Sequence, residues 1–128
     1  MSAGAQSRKT LGVVISGRCR DIQEHNSLGY AVFSRGHSTL GQSPFTRPSA
    51  INVPLRIHPQ GAEESFPAVT VHPGDYIVAD VNGVVCVPQE VAQRVVEVAR
   101  KGKEIDERCM EDIKAGKGIQ VTFKTHRD

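Results

Sequence analysis

Arg20-Asp21-Ile22-Gln23-Glu24 brings a cation and two carboxylates together at a spacing that chemistry can use. The planar fork of an arginine pairs bidentately with the carboxylate of a small acid. A neighbouring carboxylate can hold a hard divalent cation through oxygen, with water filling most of its octahedron. Such a cation is a Lewis acid that stabilises the enolate formed when a 2-oxo acid loses carbon dioxide or an aldehyde-like fragment. Taken bare, the same residues also read as a surface ion pair with Asp21 capping a helix, and both readings stand at this point.

Other chemistries find less support. The five histidines, at 25, 37, 58, 72 and 126, show no HxH, HxxxH or HExxH spacing. The three cysteines, at 19, 86 and 109, are odd in number and form no CxxC, so reduced, structural thiols are expected rather than a disulfide framework or a thiolate zinc site. A Schiff-base lysine must be desolvated to be nucleophilic at neutral pH, yet lysines 9, 101, 103, 114, 117 and 124 all lie outside the apolar runs. Gly12 to Gly17 is GxxxxG followed by Arg18, which is neither an adenosyl-cofactor loop nor a Gly-Lys-Ser/Thr phosphate loop.

Charge points the same way as the arginine. Residues 1–60 hold seven basic and two acidic side chains, a balance of +5, whereas residues 61–128 hold nine basic and twelve acidic, a balance of −3. Six of the seven cations in the first half are arginine, which favours an anionic ligand. Nucleic acid is not expected, because the arginines are dispersed and no aromatic stacking motif accompanies them.

The elements that must position Arg20 and Asp21 are legible. Leu11-Gly-Val-Val-Ile15 is a continuous apolar run closed by Ser16-Gly17, the pattern of a buried strand. Arg18-Cys-Arg-Asp21 then falls at its carboxyl end, where ligands gather in open α/β sheets. Asp21 is placed to cap a short helix over 22–27 that Leu28-Gly29 stops, and Tyr30-Ala-Val-Phe33 reads as a second strand. Residues 37–50 read as a loop, residues 51–57 as extended chain, and residues 59–67 as a polar excursion. Val69–Val71 and two runs within 77–87 read as strands, with Asn82-Gly83 predicting a type I′ hairpin. Pro88 opens a C-terminal helix whose stripe of Val91, Val95, Val98, Ile105, Cys109 and Ile113 is a packing face. Glu90/Arg94 and Glu97/Lys101 are expected as exposed ion pairs, Gly102 as a break or bend, and residues 119–128 as a partly ordered tail.

Several segments together carry a resemblance. Gly12-Val-Val-Ile-Ser-Gly-Arg-Cys-Arg-Asp21, Leu28-Gly-Tyr-Ala-Val-Phe-Ser-Arg-Gly36, Asn52-Val-Pro54, Pro73-Gly-Asp75 and Asp80-Val-Asn-Gly-Val-Val85 with Val87-Pro88 are similar, in order and spacing, to the RraA-like family. That family takes in 4-hydroxy-4-methyl-2-oxoglutarate aldolases, oxaloacetate decarboxylases and the regulator of ribonuclease activity. His25 and Phe45-Thr-Arg47 resemble its fungal branch. The resemblance implies an α/β fold of the swivelling β/β/α type, a homotrimer or hexamer, and a lyase acting on a small 2-oxo acid with Mg²⁺ or Mn²⁺. It implies that Arg20 binds the pyruvyl carboxylate or carbonyl, that Asp21 holds the metal, and that Glu24 and Gly17 support them. The alternative is a non-catalytic regulatory or interaction module, or an inactive truncated member.

A length of 128 residues fits one domain with a modest core, about two-thirds of the unfolded surface being buried at this size. Set beside the family, the chain reads as a single RraA-like domain that lacks the amino-terminal part, including an earlier glycine-led segment whose N–H groups meet the substrate. No apolar run approaches the roughly 20 residues needed to span a bilayer, and the first ten residues lack the apolar core of a signal peptide. A soluble, cytoplasmic protein without membrane partners is expected.

Overall fold

A computed structural model describes residues 1–59 and 67–127. They form an α/β structure that divides into two compact units, Met1–Pro73 with Ile77–Val85 and Gly74–Tyr76 with Cys86–Asp128. Most of the polar excursion expected over 59–67 lies outside the described residues.

The first unit is built on a βαβ element. Strand β1 (Gly12–Cys19) runs parallel to β2 (Ala31–His37), and the connection between them carries helix α2 (Ile22–Ser27). β-branched Val13, Val14 and Ile15 favour the extended chain, and Gly12 lets the strands close up: a Cβ there would stand 2.8 Å from the Ala31 carbonyl oxygen. Helix α2 ends as its sequence predicts. Gly29 takes a left-handed φ of 59°, Gly29 N–H donates to Asn26 O and Tyr30 N–H donates to His25 O, which is a Schellman termination. A short amino-terminal helix α1 (Ser2–Ser7), not foreseen from the sequence, is tied to this element. Ser2 Oγ lies 2.9 Å from His25 Nδ1, Gln6 Nε2 donates to Leu28 O, and Thr10 Oγ1 lies 2.7 Å from the hydroxyl of buried Tyr30.

Both strands run longer than the apolar pattern indicates. Ser16-Gly17 does not close β1; the strand passes through it with a bulge, because Ile15 pairs with Ser34 whereas Arg18 pairs with Gly36. Two residues of β1 therefore oppose the single residue Arg35, whose Nη2 donates to Ser16 Oγ at 3.0 Å. The second strand continues beyond Phe33 to His37. Of the extended stretch expected over 51–57, Leu55–Ile57 forms β3, which pairs antiparallel with β4 (Val69–Val71).

The hairpin forms, but not with the predicted turn. Strand β5 (Tyr76–Asp80) meets β6 (Gly83–Val87), and Val81-Asn82 occupy the turn. Asn82 does not adopt the positive φ that a type I′ turn centred on Asn82-Gly83 requires. The Asp80 carboxylate decides this by accepting from Asn82 N–H at 2.8 Å and Asn82 Nδ2 at 3.3 Å, which draws the turn one residue earlier. These bonds, the Asn82 backbone one first, hold the Asp80 carboxyl below its ordinary value.

In the second unit, Pro88 precedes one 3₁₀ turn (Gln89–Val91), and helix α3 (Ala92–Lys114) follows. Asp75 accepts from Gln89 N–H at 3.3 Å and from the Cys86 thiol at 3.6 Å. Partial burial and that carboxylate push the Cys86 thiol up. Gly102 neither breaks nor bends α3 into separate helices, since one glycine costs only about 1 kcal/mol and the ladder on either side continues. Of the predicted stripe, Cys109 is buried, while Val91, Val95 and Val98 remain exposed. The exposed ion pairs fall at Arg94/Glu97 and Lys103/Glu107 among the described residues.

The expected loose tail is a helix, α4 (Ile119–His126). Gly116, with φ 88°, ends α3 through Gly116 N–H to Ile113 O and Lys117 N–H to Asp112 O, so the chain turns back. Asp112 then clasps both sides of the turn, with Lys117 Nζ at 2.7 Å and His126 Nε2 at 3.0 Å. Arg127 adds an ion pair to Asp106 at 2.6 Å and stacks 4.0 Å over the Phe123 ring, while Thr122 is fully buried. Charge contacts this close could not be read from a segment with so few apolar residues.

Candidate active site

The parallel pairing Cys19↔His37 brings the carboxyl ends of β1 and β2 to one edge of the first unit. Ser38 N–H donates back to Cys19 O at 2.8 Å, so the loop after β2 begins beside the residues that follow β1. Three of the four nominated residues gather at this edge, at the end of β1 and the start of α2, and the fourth lies just before them. Arg20 follows the last strand residue, Asp21 is the N-cap of α2, Glu24 stands in the first turn of α2, and Gly17 occupies the β1 bulge.

Asp21 does not cap α2 through its side chain. Its backbone is left-handed, φ 63° and ψ 37°, and its carboxylate makes no bond to the helix N–H groups. Instead Asp21 Oδ2 lies 3.3 Å from Arg20 Nε, and both side chains are about half exposed. An aspartate tolerates this backbone region better than most residues, yet it remains an uncommon conformation. Glu24 is half exposed, with Oε1 3.8 Å from the amino group of Met1. Gly17 contributes by position: bulges re-aim the chain beyond them, and Arg18, Cys19 and Arg20 are that chain.

Two flanking features were not singled out from the sequence. Gly41, in the loop after β2, lies under Arg20, since a Cβ there would stand 3.5 Å from Arg20 Nη1. Arg18 is held against Gly36 and donates through Nε to His37 O at 3.2 Å. The available signal was the Arg-Cys-Arg alternation, because Cys19 between the arginines is buried and 3.1 Å from Ser34 Oγ.

A separate open cavity of about 330 Å³ lies in the first unit, lined by Ser16, Phe33, Arg35, Asp80 and Asn82 among others. None of the four nominated residues lines it. Arg35, its one arginine, is committed to Ser16 Oγ and the His58 carbonyl oxygen. Among the described residues no three His, Cys, Asp or Glu side chains gather as a metal cluster.

Residues 1–86, which contain all of this edge, match the sequence profile of the RraA-like family, described as Aldolase/RraA. The chain belongs to that family. One relative, from Halalkalibacterium halodurans, carries the provisional name 4-hydroxy-4-methyl-2-oxoglutarate aldolase; it is 35% identical over 102 residues, covering 77% of this chain and 44% of that protein. An uncharacterized protein of Methanocaldococcus jannaschii is 30% identical over 119 residues, covering 93% of this chain and 52% of that one. The fold is similar to the crystal structure of an uncharacterized protein from Pseudomonas syringae pv. tomato str. DC3000, with a TM-score of 0.83 and 34% identity over 95% of this chain and 56% of that one. The chain thus spans about half the length of these proteins. No described helix is long and apolar enough to cross a membrane.

Proposed function

We propose that the chain is a divalent-metal-dependent lyase acting on pyruvyl-type 2-oxo acids, by retro-aldol cleavage of 4-hydroxy-4-methyl-2-oxoglutarate, by decarboxylation of oxaloacetate, or both. The observation that carries this reading is the Arg20–Asp21 pair at the carboxyl end of β1, where Asp21 takes up a left-handed backbone without using its side chain as a cap. Membership of a family with an aldolase-named relative supports it.

The donor set fits a hydrated cation rather than a caged one. Asp21 Oδ1 has no partner among the described residues, and Mg²⁺ or Mn²⁺ commonly takes one or two carboxylates while keeping several waters. Asp21 would hold that cation, with Glu24 one helical turn away in support. When bound, it supplies Lewis acidity to the 2-oxo group. Arg20 grips the pyruvyl carboxylate or carbonyl through its terminal N–H groups. Cleavage of the bond between C3 and C4 leaves the electron pair on the pyruvyl fragment as an enolate, with C4 leaving as a ketone as its hydroxyl proton passes to water, or as carbon dioxide from oxaloacetate, and the Arg20 cation stabilises the enolate charge as it develops. Protonation at C3 then gives pyruvate. A homotrimer or hexamer is part of the same proposal.

The test is pyruvate release from oxaloacetate by the purified protein with Mg²⁺ or Mn²⁺. Chelator is expected to stop it and Asp21→Asn to abolish it. Turnover indifferent to both would sink the mechanism, and a folded protein with no turnover would favour the regulatory or interaction module.

A further inference from the structure

We propose that the bare sheet faces of the first unit receive a second polypeptide, the part of an RraA-like protein that this chain does not match, so that the 128 residues act as one piece of a two-piece domain.

Neighbouring residues of a strand point to opposite faces of its sheet. Val13 and Val14 in β1 are 38% and 41% exposed, Ile77 and Val78 in β5 are 43% and 60%, and Val84 and Val85 in β6 are 42% and 60%. Both faces of these strands are therefore open. Parallel strands with continuous apolar runs, as in β1, are ordinarily covered on both faces, and a two-stranded element is marginal until a third strand or a packed layer joins it. The described strands form three sheets of two strands each. The open cavity lies on these uncovered faces, since Val14 and Val84 line it together with Phe33 and Ile57.

Area decides the kind of occupant. The chain exposes 10836 Å², whereas two independent units of the same combined mass would expose about 8,000 Å². The excess, roughly 2,800 Å², is more than three times the ~800 Å² that each partner gives to a standard interface. A second copy does not supply this cover. An isologous contact covers one patch per copy and leaves the opposite face of each sheet bare, and it sets the +5 balance of residues 1–60 against itself. A complementary polypeptide can lie on both faces. The Pseudomonas syringae protein matches 95% of this chain with only 56% of its own, so a protein of this fold carries a further segment nearly as long as the matched part.

The experiment co-expresses the 128-residue chain with the unmatched segment of the Pseudomonas syringae protein as probe, and reads the mass of the complex, the fluorescence of a dye for apolar surface and the thermal midpoint. A one-to-one complex is expected, with dye fluorescence severalfold below that of the chain alone and a midpoint higher by about 10 °C. Val78→Lys and Val85→Lys, at positions already 60% exposed, are each expected to leave the circular dichroism of the chain unchanged and to cut the recovered complex about tenfold. Val121→Lys, equally exposed but in the second unit, is expected to leave capture unaltered. A chain that binds no dye by itself, as a monomer or as an oligomer of its own copies, overturns the proposal. So does failure to capture the segment, or capture that Val121→Lys weakens as much as Val78→Lys.

Discussion

Arg20 Nε lies 3.3 Å from Asp21 Oδ2, a contact between chain neighbours at a point where Asp21 is left-handed at φ 63°. As an ion pair it is worth little, since both side chains are half exposed and water screens them. Its importance is directional: the backbone conformation sets where the carboxylate points. Asp21→Asn keeps a residue that tolerates this region and is expected to leave stability within about 0.5 kcal/mol while removing activity. Asp21→Gly is expected to be no less stable than wild type, whereas Asp21→Val costs about 1–2 kcal/mol or more. Urea denaturation of the three variants beside the oxaloacetate assay checks this, and a large loss of stability in Asp21→Gly would contradict it.

Gly12 lies tight against the neighbouring parallel strand, with its absent Cβ only 2.8 Å from Ala31 O. Backbone atoms there cannot swing aside as a flexible side chain would. Gly12→Ala is therefore expected to destabilise the first unit by about 1–3 kcal/mol through forced separation of β1 and β2. The midpoint of chemical denaturation measures it, and an unchanged midpoint would mean that the strands separate freely.

Thr122 is fully buried, and its Oγ1 finds no hydrogen-bond partner among the described residues. A buried hydroxyl without a partner carries its desolvation cost uncompensated. Thr122→Val, which keeps the shape and removes the hydroxyl, is expected to stabilise the second unit by about 1 kcal/mol. A lower thermal midpoint in Thr122→Val would show that the hydroxyl is bonded after all.

Asp112 links Lys117 and His126 across the turn between α3 and α4, and those partners, Lys117 first, hold its carboxyl below the ordinary 3.8. A depressed carboxylate contributes stability that is complete above its unfolded value and is lost as pH falls through the folded one. The packing of α4 is thus expected to be unaffected by Asp112 titration from neutral pH down to about 4 and to weaken below it. Amide hydrogen exchange in α4 against pH reads this directly. Asp112→Asn should raise exchange at neutral pH and flatten the acid dependence, and an unaltered profile would assign the docking of α4 to other contacts.

The alternation of apolar and glycine-rich segments was enough to place β1, α2, β2, the hairpin and α3 in order, because β-branched runs, a Gly at a helix end and a Pro before a first turn act through local sterics. The Arg20–Asp21 dipeptide was legible for the same reason, as types adjacent in the chain. What the chain's order could not convey were relationships between residues distant along it. The bulge at Ser16-Gly17 depends on how β1 registers against β2, and the order of α4 on charges carried by α3. The sequence placed Arg18 at the end of β1, and β2 supplies the Gly36 surface and the His37 O that hold its guanidinium there. Local sterics act over a turn of chain, whereas register, close approach and charge pairing are decided between segments and exist only once those segments have met.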